Sequence, residues 1–396
     1  MKICIVIDDI FTNIGGLMKS TERFAEVLSK KGHEIIFIGS KNRLNKESFR
    51  VYRGFKIYRF PGIANPFTGG IYYQTIPIKS KIREILKREM PDVIYMVSYL
   101  FLRMSVNEIA RELNIPVVLS LLFQPENVTK QVHLDFPLAR QIIEKLMKYI
   151  CNDSARVVTC SKFSKEILEE YGVKKKIDVI SSGVDLRVFN PKKISGEIFR
   201  KKFNLENKRF FLYVGRLMAE KNIGLLLQAA TFIDWNKREN SDIKIVIVGD
   251  GNKREKLVAK AAKLGVLSHI IFTGRIDDEL LKSAYKAGEV FIFPSFAELE
   301  GIVVLEAMAL GKPLLISNSE KSSSRFLVEN NGYTFDPFNP QKLAELMISF
   351  VNNNRKLREM EKISLKLSKK YDITKSVERL EGVFREVIAE KRTKKF

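Results

Sequence analysis

Pro294-Ser295-Phe296-Ala297-Glu298-Leu299-Glu300-Gly301-Ile302-Val303-Val304-Leu305-Glu306-Ala307-Met308-Ala309-Leu310-Gly311-Lys312-Pro313 is the stretch on which the reading of this chain turns. Just before it, Glu289 to Pro294 forms an apolar run of strand length; after it opens, Gly301 starts a short apolar helix that Gly311 closes. Two carboxylates stand eight positions apart, Glu298 in the loop at the strand's carboxyl end and Glu306 on the second turn of the helix. Ligands of open α/β sheets bind at that edge. A carboxylate placed there accepts hydrogen bonds from a diol, as in a sugar or a ribose. Amides at the helix start, those of Gly301, Ile302 and Val303, suit a phosphate. One segment thus carries what a nucleotide-sugar needs.

Outward from this segment, apolar strands alternate with amphipathic helices in two series. The first opens with a strand at Ile3 to Asp8, a helix from about Leu17 to Lys30 ended by Gly32, and a strand at Glu34 to Ile38. It continues with strands near Asp92 to Val97, Ile115 to Leu121 and Ala155 to Thr159. The second series has strands at Arg209 to Val214, Ile243 to Val248, Ile270 to Thr273, Val290 to Phe293 and Leu314 to Ser317. Continuous apolar strands between amphipathic helices mean parallel sheets covered on both faces, so two Rossmann-like, doubly wound domains are expected. The boundaries fall at 1–190, a polar linker at 191–208 around Asn190-Pro191-Lys192-Lys193-Ile194-Ser195-Gly196, 209–370, and a last segment 371–396. After the first strand of the second series comes Gly215-Arg216-Leu217-Met218-Ala219-Glu220-Lys221-Asn222. Arg216 as a planar fork and Lys221 as a point charge can converge on a diphosphate.

The composition bounds the partners. At 396 residues and 45% hydrophobic content the chain is large enough for two cores. No apolar run reaches the roughly 20 residues of a spanning helix, and Met1 to Ile7 leads straight into a strand with no signal-peptide pattern, so a cytoplasmic protein is expected. Cys4, Cys151 and Cys160 are spaced neither for disulfides nor for zinc and read as small core residues. Lys and Arg number 68 against 46 Asp and Glu, a net +22, which calls for an anionic partner or marks a Lys-rich solvated surface. No nucleic-acid-binding motif accompanies that charge, so a nucleic-acid partner is not expected. Leu138, Ile142, Leu146 and Ile150 recur along one helix that also carries Arg140, Lys145 and Lys148, and Lys79-Ser80-Lys81-Ile82-Arg83 precedes a second basic helix. As in any Rossmann helix, the apolar stripe is expected to face the sheet, while the cations favour an anionic membrane surface.

The opening stretch resembles the E-x7-E signature of retaining glycosyltransferases of the GT-B fold, in the family numbered four: Glu298, Gly301, Glu306, Ala307, Met308 and Ala309 fall in register. Leu299-Glu300 stands where that family usually has Gly-Phe. Gly215, Arg216 and Lys221 match its phosphate-handling motif, and Ser181-Ser182-Gly183-Val184-Asp185, with Phe189 and Pro191, keeps the spacing of its interdomain segment. The resemblance implies two domains facing a central cleft, with the helix Ile373 to Lys391 packing back on the first. It implies a hexose moved from a nucleotide-diphosphate sugar (UDP or GDP) to a hydroxyl with retention, without metal or other cofactor. Arg216 and Lys221 would stabilise the leaving diphosphate, Glu298 hold the donor sugar and Glu306 the ribose, with Gly15 and Gly16 approaching the diphosphate from the first domain. His133 is the nearest counterpart of a histidine that relatives carry after the strand around Val117 to Leu121. Where relatives continue after Pro313 with G-G-x-x-E, this chain reads Ser317-Asn318-Ser319-Glu320-Lys321-Ser322-Ser323-Ser324. That variation resembles enzymes that glycosylate lipids or build surface polysaccharide, so a peripheral enzyme at the inner face of the membrane with a lipid or lipid-linked acceptor is the leading expectation. A soluble transferase with a small or polysaccharide acceptor, and a silent scaffold or basic RNA-binding protein, are the competing readings.

Overall fold

The computed structural model describes residues 1–8, 16–41, 46–64, 73–98, 101–122, 124, 137–351 and 353–393. They divide into two compact units, 1–182 together with 373–396, and 183–372. In the first, β1 (Lys2–Val6), α1 (Gly16–Lys30) and β2 (Glu34–Ser40) open the expected alternation. An unanticipated antiparallel hairpin follows, β3 (Phe49–Tyr52) and β4 (Phe55–Phe60), turning through Arg53 and Gly54 at positive φ. After the short pair β5 (Gly62–Ala64) and β6 (Tyr73–Thr75) come α2 (Lys79–Glu89), β7 (Val93–Met96), α3 (Phe101–Glu112), β8 (Val117–Ser120), α4 (Pro137–Asn152), β9 (Arg156–Thr159), α5 (Lys162–Glu170) and β10 (Ile177–Val179). Ser161 starts α5 with a reciprocal capping box to Ser164. Sheet order is β10-β9-β8-β7-β1-β2-β4-β3, parallel except for the edge strand β3.

The second unit adds α6 (Glu197–Lys202), β11 (Arg209–Val214), α7 (Ile223–Ala230), β12 (Ile243–Val248), α8 (Arg254–Lys263), β13 (Ile270–Gly274), α9 (Asp278–Ala287), β14 (Val290–Phe293), α10 (Ile302–Ala309), β15 (Leu314–Ser317), β16 (Gly332–Phe335), α11 (Pro340–Val351) and α12 (Asn354–Ser368). Its six strands are all parallel, in the order β13-β12-β11-β14-β15-β16. In both sheets the order runs outward in two directions from the first strand of the unit, so each has a switch point, between β1 and β7 and between β11 and β14. At such a point the loops leave towards opposite faces and open a crevice at the carboxyl edge.

The boundary differs from the expected linker at 191–208. Residues 183 onward belong to the second unit, where Phe189 and Phe199 enter its core and the Ser283 hydroxyl accepts the Phe199 amide at 3.0 Å. Buried phenylalanines make this polar-looking stretch part of a domain. The last helix, α13 (Ile373–Thr393), lays Ile373, Val377, Leu380, Phe384 and Val387 against β1, β2, β7 and α1 in the first unit's core. Glu381 on α13 meets Lys31 at 2.8 Å and Arg385 at 2.7 Å, bonds that hold its carboxyl down at about 2.

The opposite face of the first sheet carries α2, α3 and α4 over Cys4, Ile36, Met96 and Leu119. Here the expectation for α4 is corrected. Only Ile150 of the stripe is buried, alongside Met147 and Cys151, whereas Leu138, Ile142 and Leu146 are 62%, 59% and 40% exposed. A helix on a sheet has one covered side, and in α4 the sheet takes Ile143, Met147, Ile150 and Cys151, leaving Leu138, Ile142 and Leu146 outside with Tyr149. All three cysteines are buried and free.

Candidate functional site

The signature segment folds at the second unit's switch point. β14 ends at Phe293, the loop carries Glu298, and α10 begins at Ile302 after Gly301, whose φ of 79° is left-handed. A Cβ at Gly301 would lie 2.4 Å from Ser324 Oγ, so both conformation and space demand glycine. Next to it in the sheet, β11 delivers Gly215 and Arg216, then a single 3-10 turn, Ala219–Lys221. These loops are joined: the Phe296 amide donates to Glu220 O at 2.7 Å, and the Lys221 ammonium meets Glu298 Oε2 at 2.5 Å while lying 5.6 Å from the centre of the Phe293 ring. The third neighbouring loop, after β15, is stitched on by the Glu298 amide to Lys321 O at 3.1 Å and the Ser323 amide to Glu298 O at 2.8 Å.

Lys221, expected to converge with Arg216 on a diphosphate, is thus a neutralising partner of Glu298 in this structure. An ammonium has three donors, so the pairing leaves it able to serve a second anion. Arg216 is half-buried, and its carbonyl accepts the Tyr213 hydroxyl at 3.1 Å. Burial first, then Glu220 and Glu298, push the Tyr213 phenol well above its ordinary pKa, with Arg216 opposing them. Glu306 is buried on α10, and its Oε2 accepts the Tyr285 hydroxyl from α9 at 3.0 Å. Among the described residues the Ile302 and Val303 amides have no hydrogen-bond partner, while Val304 N already turns back to Gly301 O at 2.8 Å. Beside them Ser322 and Ser323 are buried with unpartnered hydroxyls.

Gly249 and Gly251, in the loop after β12, pack against the loop after β11. A Cβ on Gly249, where φ is 132°, would come 2.0 Å from Gly215 O, so the β12 loop is the seat of the β11 loop. Gly16 is the exposed first residue of α1, and Gly15 and His133 lie outside the described residues. The other two histidines are packing residues: His33 is buried beside Glu381 at 3.3 Å, and His269 stacks on Trp235 at 4.2 Å. Sequence reasoning missed Tyr285, the orienter of Glu306, and Glu220, fully buried with Oε1 unpaired. Neither carries a periodic or spacing signal; only the Ser322-Ser323-Ser324 run announced its loop. Among the described residues no group of three or more His, Cys, Asp and Glu forms a metal cluster, and no helix is long and apolar enough to cross a membrane.

The family model Glycosyltransferase Family 4 matches residues 14–188 and Glycosyl transferases group 1 matches 195–366. Alpha-monoglucosyldiacylglycerol synthase of Streptococcus pneumoniae is 29% identical over 324 residues, 80% of this chain and 70% of that protein. GDP-mannose-dependent alpha-mannosyltransferase of Corynebacterium glutamicum is 28% identical over 318 residues, 80% of this chain and 72% of that protein. The structure of Anabaena HepE in complex with UDP-glucose superposes with a TM-score of 0.76 at 17% identity, covering 98% of this chain and 100% of that one, a likeness of fold. With both halves matched in order and the signature carboxylates gathered at one sheet edge, the chain belongs to the group 1 glycosyltransferases of the GT-B fold.

Proposed function

We propose that this glycosyltransferase moves a hexose, with retention, from a nucleotide-diphosphate sugar to a lipid hydroxyl at an anionic membrane surface. The observation that carries the donor half is the convergence at the β11–β14 switch point of Arg216, the Lys221–Glu298 pair and Glu306. The unpaired amides of Ile302 and Val303, with the buried hydroxyls of Ser322 and Ser323, supply neutral donors for the diphosphate, and the amides sit at the positive end of α10. Glu306, oriented by Tyr285, accepts from the ribose diol; Glu298 accepts from the sugar. The structure of HepE with UDP-glucose and the name of the GDP-mannose-dependent relative support a donor of this class.

In the reaction the C1–O bond to the donor phosphate breaks while C1 bonds to the acceptor oxygen on the same face, and the acceptor proton passes to the leaving phosphate. No protein base is required, so the chain's contribution is position and charge. Arg216 and Lys221 carry the negative charge that develops on the diphosphate, the part a divalent ion plays elsewhere, and transfer is expected to persist in chelator.

The lipid half rests on α4. Leu138, Ile142, Leu146 and Tyr149 are exposed along one side, flanked by Arg140, Lys145 and Lys148, on a chain of net +22. On the neighbouring α3, Phe101 and Met104 are 61% and 59% exposed. An apolar stripe edged with cations matches a surface that is itself apolar beneath and anionic above. The S. pneumoniae relative's name is that of a glycolipid synthase. A calorimetric panel of UDP-, GDP- and ADP-sugars, then transfer to diacylglycerol vesicles with the anomeric proton read by NMR, tests both halves. No saturable donor would end the donor reading, and an inverted anomer the retaining one; transfer to soluble acceptors alone would replace the lipid.

A further inference from the structure

The first unit holds a second basic site that the donor chemistry does not use. Arg59, on β4, is 96% buried by its 4% exposure, yet its Nε and one terminal nitrogen have no hydrogen-bond partner. Its backbone amide is satisfied by Ser48 O at 2.7 Å, so what lacks a hydrogen-bond partner is two of the three guanidinium nitrogens. Arg59 lines a pocket of about 490 Å³ between the β3–β4 hairpin and α2. Lys41, Lys81 and Arg88 line the same pocket, and Phe49 and Phe60 form an apolar wall. Among the described residues the one carboxylate lining it is Glu84, exposed and 3.8 Å from Arg88, which also stands 3.7 Å from Glu89. Glu47 acts on Arg59 only through space, against burial and the like charge of Arg50. The segment 42–45 that follows Lys41 reads Asn, Arg, Leu, Asn and supplies no acid.

A buried guanidinium without a counterion is costly, and folds pair or replace such groups. Here three further cations gather around it instead. We propose that this pocket binds the phosphoryl group of an organic phosphate, with Arg59 as the planar fork at its floor and Lys41, Lys81 and Arg88 as point charges or second fork around the rim. Its volume exceeds that of an inorganic ion, and the aromatic wall fits a carbon moiety attached to the phosphate. That phosphate is the headgroup of a lipid or belongs to a soluble phosphorylated molecule; the recognising chemistry is the same. The site lies wholly within the first unit, and the donor assignment uses none of its residues.

Titration of the full chain with glycerol phosphate by calorimetry, and with phosphatidylcholine vesicles with and without phosphatidic acid, tests this. Wild type is expected to bind one probe saturably, with at least tenfold weakening in Arg59→Gln and in the rim variant Lys81→Ala, and none in Lys221→Ala. Binding of glycerol phosphate marks a soluble ligand; vesicle binding that depends on Arg59 and is not displaced by glycerol phosphate marks a headgroup. Arg59→Met should melt, without ligand, no lower than wild type, since it removes an uncompensated buried charge. The proposal is overturned if neither probe binds saturably, if Arg59→Gln and Lys81→Ala bind as wild type, if Lys221→Ala alone abolishes binding, or if Arg59→Met melts several degrees lower. Should Arg59→Gln fail to fold, Lys81→Ala and Arg88→Ala, both at exposed positions, decide the matter.

Discussion

Helices α10 and α4 are both rich in apolar residues, and their surroundings treat them in opposite ways. α10 is enclosed between β14 and α12, so that every residue from Val304 to Ala309 is buried, Glu306 included. α4 has the sheet on one side, and its other side displays Leu138, Ile142, Leu146 and Tyr149. A carboxylate sealed in an apolar layer has to be given partners, by Tyr285 from the protein and, in our reading, by a ribose from the substrate. An apolar stripe left outside among cations has to be given a surface. Burial on α10 therefore points to a small polar ligand, and exposure on α4 to an extended apolar one.

The largest expected effect lies beside α10. Lys221→Ala should lower turnover about 100- to 1,000-fold, the usual loss when one group stabilising transition-state charge is removed. It also strands Glu298, so melting temperature will fall somewhat, and Glu298→Gln in the same chain should restore stability without restoring rate. Arg216→Ala is expected to behave alike in rate. Turnover within a few-fold of wild type in both would detach the enclosed site from catalysis.

A second test contrasts a buried cation with exposed ones. Lys312 follows Gly311 at the close of α10 and donates to Lys286 O at 3.0 Å and Gly288 O at 2.8 Å. Burial lowers its pKa to about 8. Between pH 8 and about 10.5 the unfolded chain holds this proton and the folded one releases it, so stability rises with pH across that window. Relative to Lys312→Met, wild type should gain on the order of 3 kcal/mol from pH 8 to 10.5, measured by urea unfolding. A flat difference would mean that the region is more open than its packing shows. Lys145→Met, at an exposed position on α4, should leave urea stability within about 0.5 kcal/mol of wild type.

Glu306 comes third. Glu306→Ala removes the proposed ribose acceptor together with the carboxylate that the Tyr285 hydroxyl donates to, and should weaken donor binding by about 1–3 kcal/mol. Tyr285→Phe keeps the carboxylate but frees its orientation, and about 1 kcal/mol is expected. Unchanged donor affinity in Glu306→Ala would end the ribose assignment.

Much of this was legible in the sequence because the signals were local. The strand at Val290 to Phe293, Gly301 as helix start and the Glu298 and Glu306 positions follow from apolar runs and glycine punctuation, and the family register singled out those two carboxylates as candidates. Tyr285 and Glu220 were not legible, because their roles depend on β11, β14 and α9 being neighbours, a fact of sheet order that no spacing along the chain records. Arg59 was invisible for the same reason: in the sequence it is one of many cations, and only packing shows that its charge is buried and unpaired. α4 failed in a different way. Its apolar positions are rich enough to draw two stripes, Leu138-Ile142-Leu146 and Ile143-Met147-Ile150, and periodicity detects that a helix is amphipathic without saying which stripe the sheet will take.

That ambiguity sets the smallest and most discriminating prediction. If α4 lies on a membrane through the exposed stripe, Ile142→Ser should weaken binding to vesicles containing anionic lipid about fivefold, the worth of roughly 1 kcal/mol for a side chain partly inserted. The same change should leave urea stability within about 0.5 kcal/mol of wild type, since Ile142 is 59% exposed. Ile143→Ser, one residue on and facing the sheet, should do the reverse, costing stability while leaving the affinity of the folded fraction intact. Charge enters separately: binding should weaken as salt rises, because attraction to anionic headgroups is screened over about 8 Å at physiological ionic strength, and neutral vesicles should bind little. A protein that ignores anionic vesicles even at low salt has no membrane surface on α4, and the acceptor is then a soluble one. Binding that is salt-sensitive but indifferent to Ile142→Ser would place the contact on cations alone, with α2 and its Lys79, Lys81 and Arg83 as the next helix to change.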